Sequence, residues 1–210
     1  MKITKFGHSC LLVETGNARI LTDPGAFSTG FGAVGSLDAV LITHLHADHL
    51  DLSRISALLA ANPLAVMYAD PGSVTSLAEI GITAAGVHAG DVLEIGDVTV
   101  EVFGDIHAVI HHDLPNVENR GYLIAGRLYL PGDSLSVPAN PVEILALPTM
   151  APWMAVKESI EFLRTVDPTV AIPIHEAMLA STDIVYGLLQ KLKPADTQWL
   201  NIDDGQAVEL

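Results

Sequence analysis

Between Thr43 and Asp51 the chain reads THLHADHLD, which puts three imidazoles and a carboxylate, His44, His46, His49 and Asp48, into six consecutive residues. Such a cluster constrains the fold, because the ligands have to meet one another while the backbone around them keeps its own hydrogen bonds. The residues before it, 38–43, form an apolar run of strand length, as in a strand covered on both faces. Those after it carry apolar side chains at Ile55, Leu58 and Leu59. With Asp51 or Ser53 available as N-cap, they predict a helix from about Leu50 to Ala61 that Asn62 and Pro63 stop. The cluster therefore falls where a buried strand hands over to a helix, and chemistry-bearing residues gather in such loops. Side chains two apart at a strand end point the same way, so His44 and His46 can chelate one ion while Asp48 and His49 face a neighbouring one. A lone histidine is more often a capping or solvated residue; a concentration like this reads as a set of metal ligands.

The remaining pattern supplies a frame. Strands are expected over 2–6, 10–14 and 18–22, the last two joined by a turn at Thr15, Gly16 and Asn17, as an antiparallel meander. A Gly-rich loop, 24–36, leads into strand 38–43. Strand 64–68, helix 72–80 and strand 83–87 then alternate, and β structure returns at 92–95, 98–103, 121–125 and 128–130. Helices over 151–166 and 177–192 flank a strand at 169–174. The segment ARILTDPG (18–25) echoes RLYLPGD (127–133). Each is a strand ending in aspartate, followed by a loop, a buried strand (38–43 or 142–147), another loop and a helix. Two similar halves, with helices outside and two mixed sheets inside, satisfy every apolar face. The expected fold is α/β (α+β), a four-layer αββα sandwich in a single domain, 1–210.

Lys and Arg total 10 against 25 Asp and Glu, a formal charge of −15, which repels polyphosphate and argues against nucleic acid as a partner. No apolar run approaches the roughly 18 residues of a membrane-spanning helix, since Asn62, Pro63, Asp70 and Pro71 break the most apolar region. Lys2 and Lys5 interrupt the place where a signal peptide has its apolar stretch. The one cysteine, Cys10, permits no internal disulfide and reads as a small buried hydrophobe. A cytoplasmic protein acting on a small molecule, away from membranes, is the expectation; nothing in the sequence sets an oligomeric state.

The run His-x-His-x-Asp-His resembles the signature of the metallo-β-lactamase superfamily, and the rest of the chain supplies the family's other pieces in order. The resemblance covers the whole chain. It implies a first metal held by His44, His46 and His107, a second held by Asp48, His49 and His175, and Asp133 touching both. Asp133 stands in LPGDS (130–134) and His175 in IPIHE (172–176), each at a strand end. Asp23 matches an early structural aspartate and is read as the orienter of the histidine loop. His111 and His112 compete with His107 for the third histidine; His107 is preferred because it lies nearest the strand end. The segment FGHS (6–9) and the short chain look similar to the branch that contains ascorbate-6-phosphate lactonase and many hydrolases of undefined substrate. His8 is open to a role beside the metals, to substrate contact or to a core position. His88 is read as a surface residue.

Imidazole and carboxylate ligands without thiolate suit Zn²⁺ first, with Mn²⁺ or Fe as alternatives. A water shared by two such divalent ions about 3.5–4 Å apart is a hydroxide near neutral pH, and Asp48 would orient it. No serine or cysteine nucleophile is then needed, and Ser134 is read as a turn residue. The expected activity is metal-dependent hydrolysis of a small ester, lactone, amide or phosphodiester. An iron-dependent oxidoreductase on the same fold is the competing reading, and a third treats the metals as structural. Substrate choice is expected in loops 27–35, 111–119 and 150–153, with Phe27, Phe31 and Trp153 as apolar walls and His8, His111 and Trp153 as substrate contacts.

Overall fold

In the computed structural model, which describes residues 1–104, 106–202 and 205–210, the chain begins β1 (Lys2–Lys5), β2 (Leu11–Thr15), β3 (Ala18–Thr22), β4 (Ala39–Ile42), α1 (Ile55–Ala61), β5 (Val66–Ala69), α2 (Pro71–Glu79) and β6 (Ala85–Gly86). It continues β7 (Val92–Ile95), β8 (Val98–Phe103), β9 (Gly121–Ile124), β10 (Leu128–Leu130), β11 (Ile144–Pro148), α3 (Val156–Val166), β12 (Val170–Ile174), α4 (Asp183–Leu192), β13 (Gln198–Trp199) and β14 (Ala207–Glu209). The strands form two seven-stranded sheets, ordered β14-β1-β2-β3-β4-β5-β6 and β13-β12-β11-β10-β9-β8-β7. In each sheet an antiparallel meander, β1 to β3 or β8 to β10, passes into parallel neighbours, β4 to β6 or β11 to β13. The far edge is closed antiparallel by β14 or β7. The echo between 18–25 and 127–133 is thus a repeat of topology: β3 and β10 hold the same place in their sheets, with Asp23 and Asp133 just beyond them.

Three apolar layers hold the sandwich together. Between the sheets, Ile3, Leu11, Val13, Ile20 and Leu41 meet Val100, Tyr122, Ile124, Ile144 and Ile172. Leu12, Leu21, Val40 and Ile42 point the other way, against Ile55 and Leu58 of α1 and Leu77 of α2. On the opposite outer face Leu123, Leu145 and Leu147 pack under Ile160, Phe162 and Leu163 of α3 and Leu189 of α4. With both faces of each sheet covered, the central strands have no solvent side, so β4, β9, β11 and β12 are buried at every residue and read as continuous apolar runs. Burying each such side chain contributes roughly 1.5–3 kcal/mol, which is how a chain with no disulfide holds this form.

Several boundaries differ from the sequence reading for local reasons. The helix expected from Leu50 starts at Ile55, because Asp51 is spent on a preceding turn, where its carboxylate accepts from Ser53 N at 2.9 Å and Ser53 Oγ at 2.5 Å. Neither Asp51 nor Ser53 caps α1; Arg54 does, without a side-chain bond. The expected helix 151–166 begins only at Val156, because Ala155 is extended and its N–H donates to Glu158 at 2.6 Å; Ala151 instead bridges to Met154. Helix 177–192 shortens to Asp183–Leu192. Among the described residues no helix is long and apolar enough to cross a membrane.

A candidate metal centre at the strand ends

Parallel strands end on the same side of a sheet, and the chemistry gathers there. His44 follows β4, Asp133 follows β10, His175 follows β12, and His107 lies beyond β8, which runs parallel to β10 through two antiparallel steps. Asp23, at the end of β3, fixes the histidine loop with three contacts. Its Oδ1 accepts from Thr43 N at 2.8 Å, and its Oδ2 accepts from Thr43 Oγ1 at 2.8 Å and from His49 Nδ1 at 2.7 Å. Two glycines make the close approach possible. A Cβ on Gly25 would lie 1.7 Å from the carbonyl oxygen of Asp48, and one on Gly132, whose φ is +63°, would lie 2.3 Å from Asn119 Oδ1 and 2.7 Å from Thr43 Cβ.

Among the described residues the potential ligand atoms fall into three groups, each with its members within 4.8 Å of one another: His44, His46, His107 and Asp133; His8, Asp48, His49 and His175; and, exposed and away from the strand ends, His111, His112 and Asp113. The Asp133 carboxylate spans the first two. Its Oδ1 lies 3.1 Å from Nε2 of both His49 and His175, and its Oδ2 lies 3.3 Å from Nε2 of His107. Trp153 Nε1 donates to the same Oδ2 at 2.8 Å.

The tautomers can be read from what each ring's other nitrogen touches. His49 Nδ1 donates to Asp23, and Nδ1 of His107 and of His175 donate to the carbonyls of Ala108 and Met150, both at 2.5 Å. A neutral imidazole has one N–H, so in the neutral form that metal ligation requires these bonds leave Nε2 of all three rings with a free lone pair. Those three Nε2 atoms and Asp133 Oδ1 are buried without a hydrogen-bond partner. Burying four such atoms unsatisfied is costly, and one cause relieves them all: cations in the space they face. The donor set, imidazole and carboxylate with outer hydrogen bonds on the far nitrogens, is that of a metal centre.

The electrostatics agree. Burial, then His49, push His44 well below the usual histidine range, and burial, then His107, lower His46, so both rings are neutral and ready to ligate at pH 7. Burial would raise the Asp133 carboxyl, but His49 first, and then the His107 and His175 rings set against its oxygens, hold it well below the carboxylate range. Burial opposes ionisation of Asp48 too, yet the bond from His8 leads the effects that bring it to about 2. His8 itself is driven to about 4, chiefly by burial.

The structure brings His107 into the cluster and leaves His111 and His112 outside it, their side chains 54% and 82% exposed beside Asp113. His111 lines a small crevice next to His107 and not the space over the metal groups. That space, about 240 Å³, is lined by His46, Asp48, His107, Asp133 and His175 together with Phe27, Ile110, Pro152, Trp153 and Met178. Phe31 does not belong to it: the ring is 1% exposed in the core, with the Arg54 guanidinium 4.5 Å from its centroid. An aromatic in a Gly-rich loop looked like a pocket wall, but the loop turns inward there as a short 3-10 helix, Phe31–Ala33. Ser134 bonds Ser136 in a turn, Cys10 is buried and His88 is exposed. Sequence reasoning passed over the Trp153–Asp133 bond, and it left His8 open to a place beside the metals without naming Asp48 as its partner. Gly7-His8 just after a strand is the only trace of that pairing.

A family model described as a β-lactamase superfamily domain matches residues 2–175. The chain is 45% identical to the protein Rv0786c of Mycobacterium tuberculosis over 207 residues, 95% of this chain and 96% of the relative. It is 28% identical over 201 residues to a UPF0173 metal-dependent hydrolase of Opitutus terrae, covering 83% of this chain and 84% of the other. The fold superposes on the metallo-β-lactamase fold protein YhfI of Bacillus subtilis with a TM-score of 0.75 at 17% identity, over 99% of this chain and 98% of that one.

Proposed function

Because the chain belongs to the metallo-β-lactamase superfamily and is a metal-dependent hydrolase, we propose that it works with two divalent ions on a small ester, lactone, amide or phosphodiester. His44, His46 and His107 would hold one ion, Asp48, His49 and His175 the other, with Asp133 shared. Zn²⁺ suits these ligands first, and Mn²⁺ or Fe after it. The observation that carries the reading is the set of buried, unpartnered atoms, His49 Nε2, His107 Nε2, His175 Nε2 and Asp133 Oδ1, gathered around the Asp133 carboxylate.

Two divalent ions in such a site supply an ionised water at neutral pH and Lewis-acid stabilisation of a developing oxyanion. The chain's own residues do the rest. Asp48, partly exposed to the pocket, orients the attacking water with its carboxylate. Trp153 steadies Asp133 through Nε1 and, with Phe27, Ile110 and Met178, presents apolar walls to the substrate. These apolar walls exclude bulk water from the reacting centre. No serine or cysteine is placed to act as nucleophile among the described pocket residues.

The walls also bear on the substrate. At about 240 Å³ the space is below the usual range for drug-sized ligands, and none of the described residues that line it is a lysine or arginine. It suits a substrate with a compact, uncharged flank beside the reacting bond. His111, in the neighbouring crevice, would meet only a substrate that extends out of the pocket. The acidic surface and lone buried Cys10 favour a cytoplasmic setting for the whole chain as one working unit.

The test is a panel of p-nitrophenyl acetate, a γ-lactone, an anilide and bis(p-nitrophenyl) phosphate. Turnover that chelation abolishes and added metal restores is expected. No turnover of any member by protein with metals bound would overturn the reading.

A further inference from the structure

His8 is bonded the opposite way from the histidines around it. In His49, His107 and His175 the Nδ1 atom is engaged and Nε2 is bare; in His8, Nε2 lies 3.1 Å from Asp48 Oδ2 and Nδ1 is buried with no partner. Ligation through Nε2 would require the proton on Nδ1, a buried donor with nothing to receive it. Placing the proton on Nε2 satisfies both Nε2 and the carboxylate and leaves on Nδ1 only a lone pair. Among the described residues, no other side chain hydrogen-bonds the Asp48 carboxylate, and Asp48 lies in a turn, where packing alone fixes a side chain poorly.

The backbone around His8 is arranged to the same end. His8 has φ +50°, a left-handed conformation that costs a residue with a Cβ some energy and is kept where the surroundings over-determine it. Phe6 N donates to Cys10 O at 2.9 Å, Cys10 N to Gly7 O at 3.1 Å, and Ser28 Oγ to Gly7 O at 2.9 Å. The ring is wedged between Phe27, at 5.3 Å, and His175, at 4.0 Å between centroids. Its carbonyl accepts from His175 N at 3.2 Å. One residue thereby touches two ligands of one group, Asp48 through its ring and His175 through its backbone.

We propose that His8 is a positioning residue for the second metal site, holding the Asp48 carboxylate in place by donating from Nε2 without ligating the metal. The proposal rests on the two-ion reading above. Outer hydrogen bonds to ligands change metal affinity by about 10–100-fold, and that is the effect expected here.

Zn-loaded wild type, His8→Leu and His8→Gln are titrated with chelator, and the metal retained per chain is measured. The Leu variant should lose its second ion at about 10–100-fold lower chelator while keeping the first, and the Gln variant, whose amide N–H can donate to Asp48, should recover most of that loss. In the Co²⁺-loaded Gln variant, X-ray absorption should find as many imidazoles per metal as in wild type. A Leu variant that holds both ions as tightly as wild type overturns the proposal, and so does a lower imidazole count in the Gln variant, which would make His8 a ligand. If circular dichroism finds the Leu variant unfolded, the Gln variant decides alone: near-wild-type retention with an unchanged count supports the proposal, and loss of the second ion overturns it. A wild type that never holds a second ion overturns the two-ion reading and the proposal with it.

Discussion

Asp23 Oδ2 lies 2.7 Å from Nδ1 of His49, on the side of the ring away from the nitrogen that faces Asp133. The same carboxylate receives Thr43 N and Thr43 Oγ1, so a residue outside the candidate metal groups sets both the strand-to-turn corner and the orientation of His49.

Replacing Asp23 by Ala should therefore act on stability and on metal together. It strands three buried donors, at an expected cost on the order of 3 kcal/mol, and it frees His49 to rotate, with about 10–100-fold weaker metal binding. Asp23→Asn should be milder, because asparagine tolerates the left-handed φ of +41° at this position and keeps an acceptor oxygen. Thermal melting and chelator competition on both variants check this; equal effects from the two substitutions would contradict it.

Trp153 has two separable roles. Trp153→Phe removes the 2.8 Å bond to Asp133 Oδ2 but keeps an aromatic wall, so kcat should fall about 10-fold, in line with the loss of a hydrogen bond to a charged group, with KM little changed. Trp153→Ala removes the wall as well and should also raise KM for apolar substrates. Steady-state kinetics on the substrate the panel identifies separates the two effects; a KM change alone in the Phe variant would place Trp153 outside the metal centre's support.

The metal-free protein should be destabilised by acid in a defined window. Burial first holds His8, His44 and His46 below the ordinary histidine value of 6.5, so the folded chain keeps them neutral where the unfolded chain binds protons. Their stabilisation is present above about pH 6.5 and is lost as the pH falls towards about 4, where His8 titrates. For buried His8 this corresponds to about 3 kcal/mol. His49 runs the other way: burial pulls it down, but Asp133 and Asp23 outweigh that and raise it, so its contribution is full in acid and declines as the pH rises through the raised value. With three groups lowered against one raised, the melting temperature in EDTA should be lower at pH 5 than at pH 7. An equal or higher value at pH 5 would contradict this balance.

The parts of this molecule legible in its sequence are those whose partners are near in the chain or marked by a strand end. His44, His46, Asp48 and His49 declare themselves because one short segment carries them, and Asp133 and His175 because each follows an apolar run into a turn. The matched order of the two sheets was visible in the repeat of strand and aspartate at 18–25 and 127–133. His8 gave no such mark: its contact with Asp48 spans 40 positions and depends on how the β1–β2 turn lies against the end of β12. The edge strands β13 and β14 are two and three residues long and half exposed, too short for a period to appear. Phe31 misled because the loop that holds it is glycine-rich in sequence yet folds its aromatic into the core.

The central claim, one carboxylate shared by two metal positions, is tested most directly by elemental analysis of purified wild type beside Asp133→Ala. The account predicts near two divalent ions per chain in the wild type and a marked loss in the variant, with the backbone fold intact by circular dichroism. A single ion per chain that does not respond to the Asp133 substitution would contradict it.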